Sequence, residues 1–314
     1  MALGPIKKLK TMNFSVSRYL PDGSFSIVMP FHICMKGLED AVLCRDDEDY
    51  DMFVKIIFLA SWSKNVVVVI YSVLSNHFHA SVLAASQEDA DACGEEIKRR
   101  YSMWLSRKYL EKNTLCGART SALMITDRWH LRNTLAYIPR NALDNGQNVD
   151  TYKWSGYRGM FCRKQPEGLR AVSSLSRREV RIIFHSGDKL DRVPWELNEM
   201  NEIEPVSACD HAYLESAFGN DQAFFLKTIG SLNIAEIRYS VEEQPFNMTP
   251  DTEFRKTIDD VSVKWYGKSL SGIPLGKKYR LLPYVYRTNK TTVSQLARVF
   301  ALDRETVRAV IGIK

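Results

Sequence analysis

The sequence predicts an α+β fold: an antiparallel sheet with helices on one face, in a ferredoxin-like arrangement, followed by a mostly helical C-terminal region that ends in a helix-turn-helix. Three observations carry that expectation. Residues 25–144 alternate in the order strand, helix, strand, strand, helix, strand, helix, the split βαβ order. The run Val66-Val67-Val68-Val69-Ile70-Tyr71-Ser72-Val73-Leu74 is apolar and β-branched, as a buried strand requires. Capping residues stand where the periodicity changes, at Ser86 and Thr126-Asp127.

The elements follow in order. Residues 1–25 read as a loose arm with a turn at Pro21-Asp22-Gly23. Phe25, Ile27, Met29, Phe31 and Ile33 alternate with a period of two, a strand to Met35. Acids at 46–49 precede Tyr50, Phe53, Ile56, Ile57 and Ala60, whose spacing is helical and whose leading charges suit a helix N-terminus. Strands at 65–74 and 77–84 flank a turn at Ser75-Asn76, and Ser86 caps a helix over 87–110. A short strand is expected over 118–125 and a helix over 128–144, ending near Asn145-Gly146. Lys164-Gln165-Pro166-Glu167-Gly168 reads as a linker, so the expected domains are 1–164 and 165–314. Within the second, 169–275 is helical in pattern and carries no chemical motif. Thr292–Phe300 and Arg304–Ile311, joined at Ala301-Leu302-Asp303, form a helix-turn-helix pattern at about 291–312. Arg304, Thr306 and Arg308 would face outward on its second helix. The plainer alternative is a helical hairpin.

At 314 residues two domains are expected, and 45% hydrophobic and 25% charged content are ordinary for a globular protein. The formal charge of +6 permits a polyanionic partner without demanding one. It is unevenly spread: ten bases face four acids from Gly94 to Arg140, seven acids and no base lie between Glu196 and Asp221, and nine bases face two acids from Lys277 to Lys314. Two basic blocks suggest two nucleic-acid surfaces; solvated helix faces are the bland alternative. The six cysteines show no Cys-x-x-Cys pair or zinc spacing. No apolar stretch reaches the ~18 residues of a membrane span and no signal peptide opens the chain, so a cytoplasmic protein with reduced thiols is expected.

Asn76-His77-Phe78-His79 is the segment with chemistry in it. Side chains i and i+2 of a strand share a face, so His77 and His79 project together while Phe78 turns into the core. Two imidazoles so placed can grip one metal ion; the alternative is a solvated sheet face. The helix over 128–144 carries Tyr137-Ile138-Pro139-Arg140-Asn141, and i,i+4 spacing sets Tyr137 and Asn141 on one side. Tyr152-Lys153-Trp154-Ser155-Gly156-Tyr157 follows.

These pieces, in this order, resemble the REP-associated tyrosine transposases, a family of single-tyrosine HUH transposases. Tyr71 to His79 is similar to their strand pair with the pattern Y-x-(L/V)-M-P-N-H-x-H, Leu135 to Asn141 to their tyrosine helix, and Trp154-Ser155-Gly156-Tyr157 to the W-S-S-Y that follows. Phe31-His32-Ile33, Lys36-Gly37 and Asp47 to Tyr50 sit where that family has its first strand and helix, so the resemblance spans about 25–160. It departs from the pattern at Ser75 and Ala142, which stand for prolines, at Ala136, which stands for arginine, and at Pro139 inside the helix.

The resemblance implies a metal-dependent enzyme that cuts and rejoins single-stranded DNA, with hairpins formed by palindromic repeats as its expected substrate. It implies Tyr137 as nucleophile, giving a 5′-phosphotyrosine, and His77, His79 and Asn141 as ligands. Mixed nitrogen and oxygen donors suit Mg²⁺ or Mn²⁺. Arg99, Arg100, Arg107, Lys108 and Arg132 are candidates to grip the hairpin backbone, with Trp104 and Tyr101 as stacking platforms or core residues. Related folds pair through their sheets or act alone, so a homodimer is one expected assembly. A non-catalytic DNA-binding regulator is the rival function, and a replication initiator or relaxase ranks lower because no helicase motif follows.

Overall fold

The computed structural model describes residues 14–36, 42–112, 115, 117–144, 146–162, 166–231, 251–289, 291 and 293–312. Most of the expected arm, Gly37, Asn145, the start of the linker, 232–250 of the motif-poor segment and Thr292 lie outside them.

The architecture is mixed α/β around an antiparallel sheet. Its elements are β1 (Val16–Tyr19), β2 (Phe25–Lys36), α1 (Asp47–Ser63), β3 (Val67–Val73), β4 (His77–Ala84), α2 (Gln87–Tyr109), β5 (Arg119–Met124) and α3 (Arg128–Asp144). Strand order is β1-β2-β4-β3, with β5 beside β2. β1 lies in the stretch expected to be a loose arm; it pairs Val16 with Val28 through Tyr19 with Phe25 across the turn at Pro21-Asp22-Gly23. Ser86 and Asp127 cap their helices as expected, and Asp46 caps α1. Asp46 and Ser86 side chains accept the amides of Asp49 and Asp89, and Asp127 accepts that of His130.

Strand alternation divides the sheet into two unlike faces. Phe31, Ile33, Met35, Tyr71, Val73, Phe78, Ala80 and Val82 pack with α1 and α2 in one hydrophobic cluster. The opposite face offers Val28, Ile70 and Leu83 to Leu131, Leu135 and Ile138 of α3. Helices therefore cover both faces, which corrects the expected one-sided sheet. The physical reason is visible in β4, where every residue is buried: a strand buried on both sides needs two covers.

The segment after α3 laces along β3. Val73 N donates to Trp154 O (3.0 Å), Tyr152 Oη donates to Val73 O (2.6 Å), and Ser72 bridges Ser155. At Gly156 an added Cβ would meet the Tyr71 ring and backbone at 3.3 Å, so the close approach suits glycine.

Hydrophobic packing continues past residue 164, the expected domain boundary. Val172, Val180, Phe184, Trp195 and Ile203 join the α1–α2 cluster, while Tyr213, Leu214, Phe218 and Phe225 join the α3 cluster. These residues come from short helices α4 (Arg177–Ile183), α5 (Pro205–Ala208), α6 (His211–Ala217) and α7 (Gln222–Ser231) and the loops among them. A third cluster gathers Phe254, Ile258, Leu281, Leu282, Val285, Leu296, Phe300 and Val307 from helices Asp251–Tyr266, Leu275–Thr288, Val293–Phe300 and Arg304–Ile311. No helix among the described residues is long and apolar enough to cross a membrane.

Candidate active site

The face of the sheet under α3 is polar where the other is greasy. Register places Ser72 of β3 beside His79 of β4, His79 beside Cys34 of β2, and Cys34 beside Ser121 of β5. One row along, Ser81 lies beside His32. Below His79, His77 pairs with Lys36, whose other neighbour is Arg119. Above this stripe α3 presents His130, Thr134, Tyr137 and Asn141, spaced to fall on one helix side.

The four residues implicated by sequence meet here. The rings of His77 and His79 lie 5.0 Å apart, and the Tyr137 ring lies 5.4 Å from that of His79, edge to face. The Asn141 carboxamide is close enough to His77 to favour its charged form. Asn141 Nδ2 also donates to the carbonyls of Tyr137 (2.9 Å) and Ile138 (3.3 Å), tying down the turn that contains Pro139. α3 runs through that proline from Arg128 to Asp144, and the phenol stays against the imidazoles. His77 and Asn141 are each 1% exposed and Tyr137 is 3% exposed.

Burial sets the protonation state. It pulls the His77 pKa down to about 3, with Asn141 opposing, and that of His32 down to about 4, helped by the nearby charge of His130. Both rings are therefore neutral at neutral pH, as a metal ligand must be. Asn76 Oδ1 lies 2.8 Å from His77 Nδ1. An amide oxygen only accepts, so Nδ1 carries the proton and Nε2 the lone pair. His77 Nε2, Ser72 Oγ, Ser81 Oγ and His130 Nε2 are buried without a hydrogen-bond partner of ordinary geometry. Each such atom costs about 1–3 kcal/mol. Their clustering between this sheet face and α3 fits a site that coordinates something, and the donors (two imidazoles and a carboxamide) suit a divalent cation.

The other flagged residues are dispersed. Arg99, Arg100 and Arg107 of α2 line a cleft of about 270 Å³ with Trp104 and His185, on the sheet face opposite the histidines. Arg100 pairs with Asp188 (2.5 Å) and Glu96 (2.6 Å), and Arg99 with Glu96 (2.7 Å). Lys108 is held by Asp46, Glu48 and the fully buried Asp49 at 2.6–3.0 Å. Arg132 donates to Ala217 O (2.8 Å) and lies over the Phe224 ring. Tyr101 and Trp104 are core residues, donating to Leu43 O and Asp49 Oδ1. Arg304 and Arg308 are exposed, whereas Thr306 Oγ1 donates to Asp303 in the helix cap (2.6 Å). His211 Nε2 contacts Gly156 O at 3.0 Å.

Sequence reasoning gave no role to His32, whose Nε2 lies 3.0 Å from His79 Nδ1, or to Asn76. A signal was present: His32 and Cys34 occupy the alternate positions of β2 between core residues Phe31, Ile33 and Met35.

No family model matches the chain, and no curated protein matches it. A solved structure of a REP-associated tyrosine transposase bound to a REP hairpin overlaps 43% of this chain and 80% of that chain, at 17% identity and a TM-score of 0.35. At that level of overlap, function has to be argued from this chain's own side chains.

Proposed function

We propose that the protein cleaves and rejoins single-stranded DNA through Tyr137, at a site where His77, His79 and Asn141 hold Mg²⁺ or Mn²⁺. The convergence of these four side chains from a strand pair and a helix far along the chain is the observation that supports this most. Sheet and flanking helices then act as a ferredoxin-like HUH scaffold, consistent with the order β5-β2-β4-β3.

A bound cation would neutralise the scissile phosphate and stabilise the departing 3′ oxygen. Tyr137 supplies the nucleophile: its phenol gives up a proton, a Tyr O–P bond forms, and the P–O3′ bond breaks, leaving a 5′-phosphotyrosine and a free 3′-hydroxyl. Attack by a 3′-hydroxyl reverses the step, so rejoining needs no external energy. A phenol with a pKa near ~10 is mostly protonated at neutral pH, which is why it must sit beside groups that favour its anion. Asn141 anchors the turn that carries Tyr137 through its two bonds to backbone carbonyls. The helices Val293–Phe300 and Arg304–Ile311 serve as a helix-turn-helix, with exposed Arg304 and Arg308 on DNA. The motif resemblance makes hairpin-forming palindromic repeats the first substrates to try.

The near-complete burial of Tyr137 favours a second reading, a DNA-binding regulator that has lost catalysis. End-labelled hairpin oligonucleotides with Mn²⁺ separate the two on a denaturing gel. A covalent adduct that disappears in Tyr137→Phe supports strand transfer; tight binding with no adduct in the wild type supports the regulator.

A further inference from the structure

His32 is the third histidine of the buried polar stripe, and no motif assigns it a role. Its Nε2 lies 3.0 Å from His79 Nδ1, and the two rings stack with centroids 5.1 Å apart and planes 23° from parallel. Both residues are 2% exposed, so water does not compete freely for either nitrogen. Two imidazole nitrogens in contact share one proton: one nitrogen donates and the other accepts. Only one of the two arrangements is compatible with His79 binding a cation. If His79 carried its proton on Nε2, that nitrogen could not also present a lone pair. Should Nδ1 carry it instead, His32 must accept at Nε2.

The neighbouring imidazole is handled the same way. Asn76 Oδ1, an obligate acceptor, contacts His77 Nδ1 at 2.8 Å. Both members of the pair thus have an acceptor-capable partner on Nδ1, one from the turn before β4 and one from β2. A carboxylate would do the same at His79 but would bring a charge into a buried stripe, and a second histidine does it while neutral.

We infer that His32 is a positioning residue: it accepts the Nδ1 proton of His79, fixes that ring's tautomer and orientation, and so turns Nε2 toward the cation. This rests on the reading that His77 and His79 form a metal site.

The test has two arms that fail separately. Long-range ¹H–¹⁵N correlation spectra of metal-free protein at neutral pH report the tautomer of each neutral histidine. The wild type is expected to show His79 with its proton on Nδ1. His32→Leu, which removes the acceptor, should shift His79 toward the other tautomer, and His32→Gln, which restores a neutral acceptor, should return it. In calorimetric titrations with Mn²⁺ alone, His32→Leu should bind about 10–100-fold more weakly and His32→Gln close to wild type. Wild-type His79 protonated on Nε2, or His32→Leu with unchanged Mn²⁺ affinity, overturns the assignment. The wild-type spectrum needs no variant to fold. A wild type that shows the Nδ1–H tautomer yet takes up no Mn²⁺ overturns the metal site itself, while leaving His32 as the group that sets the His79 tautomer.

Discussion

Phe78 and His79 are neighbours in sequence and opposites in environment. Phe78 joins the hydrophobic cluster between the sheet and α1–α2, its ring 5.0 Å from that of Phe53. His79 faces α3 amid His32, His77, Tyr137 and buried hydroxyls. One face of the sheet is built to hold the fold together, and the other tolerates orphaned polar atoms that weaken it. Such a concentration of orphaned polar atoms, with His77 Nε2, Ser72 Oγ and Ser81 Oγ together on one stripe, is what packing rules expect of a functional site rather than of a core.

The sharpest way to break that contrast is to truncate each neighbour. His79→Ala should lower strand cleavage by more than ~1000-fold in the gel assay while sparing most DNA binding. Its urea-unfolding stability should fall by less, about 1–2 kcal/mol, because His32 Nε2 loses its partner. Phe78→Ala should do the reverse, costing about 3–5 kcal/mol in the same unfolding experiment while the folded fraction still cleaves. Equal losses of stability from both would erase the distinction.

Charge gives a second contrast. Removing Lys108 leaves fully buried Asp49 without its cation, so Lys108→Ala should cost about 3 kcal/mol of stability without altering the salt dependence of DNA binding. Exposed Arg119, in the same row of the sheet as His77, should behave oppositely. Arg119→Ala should weaken DNA binding a few-fold and reduce the slope of log affinity against log salt by about one, with stability unchanged.

Acid should act on the polar face. His32 and His77 have pKa values of about 4 and about 3 in the fold, below the ordinary 6.5 of the unfolded chain. The unfolded state then binds more protons, so these groups cost stability as pH falls below about 6.5. The slope is at most about 1.4 kcal/mol per pH unit for each, levelling off once the folded values are reached. Urea midpoints from pH 7 to 4 should follow that slope, and His32→Leu should flatten it. The smallest effect expected is a gain. Ser81→Ala removes an orphaned hydroxyl and should raise stability by about 1 kcal/mol, read from the same midpoints.

Much of this was legible in the chain. The period-two pattern placed His77 and His79 on one face and Phe78 on the other, and i,i+4 spacing joined Tyr137 to Asn141, because both relations are local geometry. The bounds of α3 and of the His77 strand followed from caps and turns of the same local kind. What lay beyond reach was tertiary. The apolar run at Val66–Leu74 already carried the sign of two-sided burial, but nothing local says that α3 supplies the second cover. Nor does a basic helix announce its partners: Arg100 and Lys108 look available in sequence, yet carboxylates at Asp188 and Asp49, distant in the chain, hold them. His32 escaped notice because its significance is a single 3.0 Å contact with a residue on another strand. The packing of residues 172–229 onto the sheet was hidden for a similar reason, since a linker-like composition at 164–168 does not reveal where the following helices dock.

The central claim is that Tyr137 works at the paired imidazoles. Protein incubated with hairpin DNA and Mn²⁺, then digested with nuclease and protease, can be mapped by tandem mass spectrometry. A 5′-phosphodeoxynucleotide remnant on the peptide containing Tyr137, absent from His79→Ala, is the predicted result. A remnant on another residue, or one that persists at Tyr137 without His79, would contradict it.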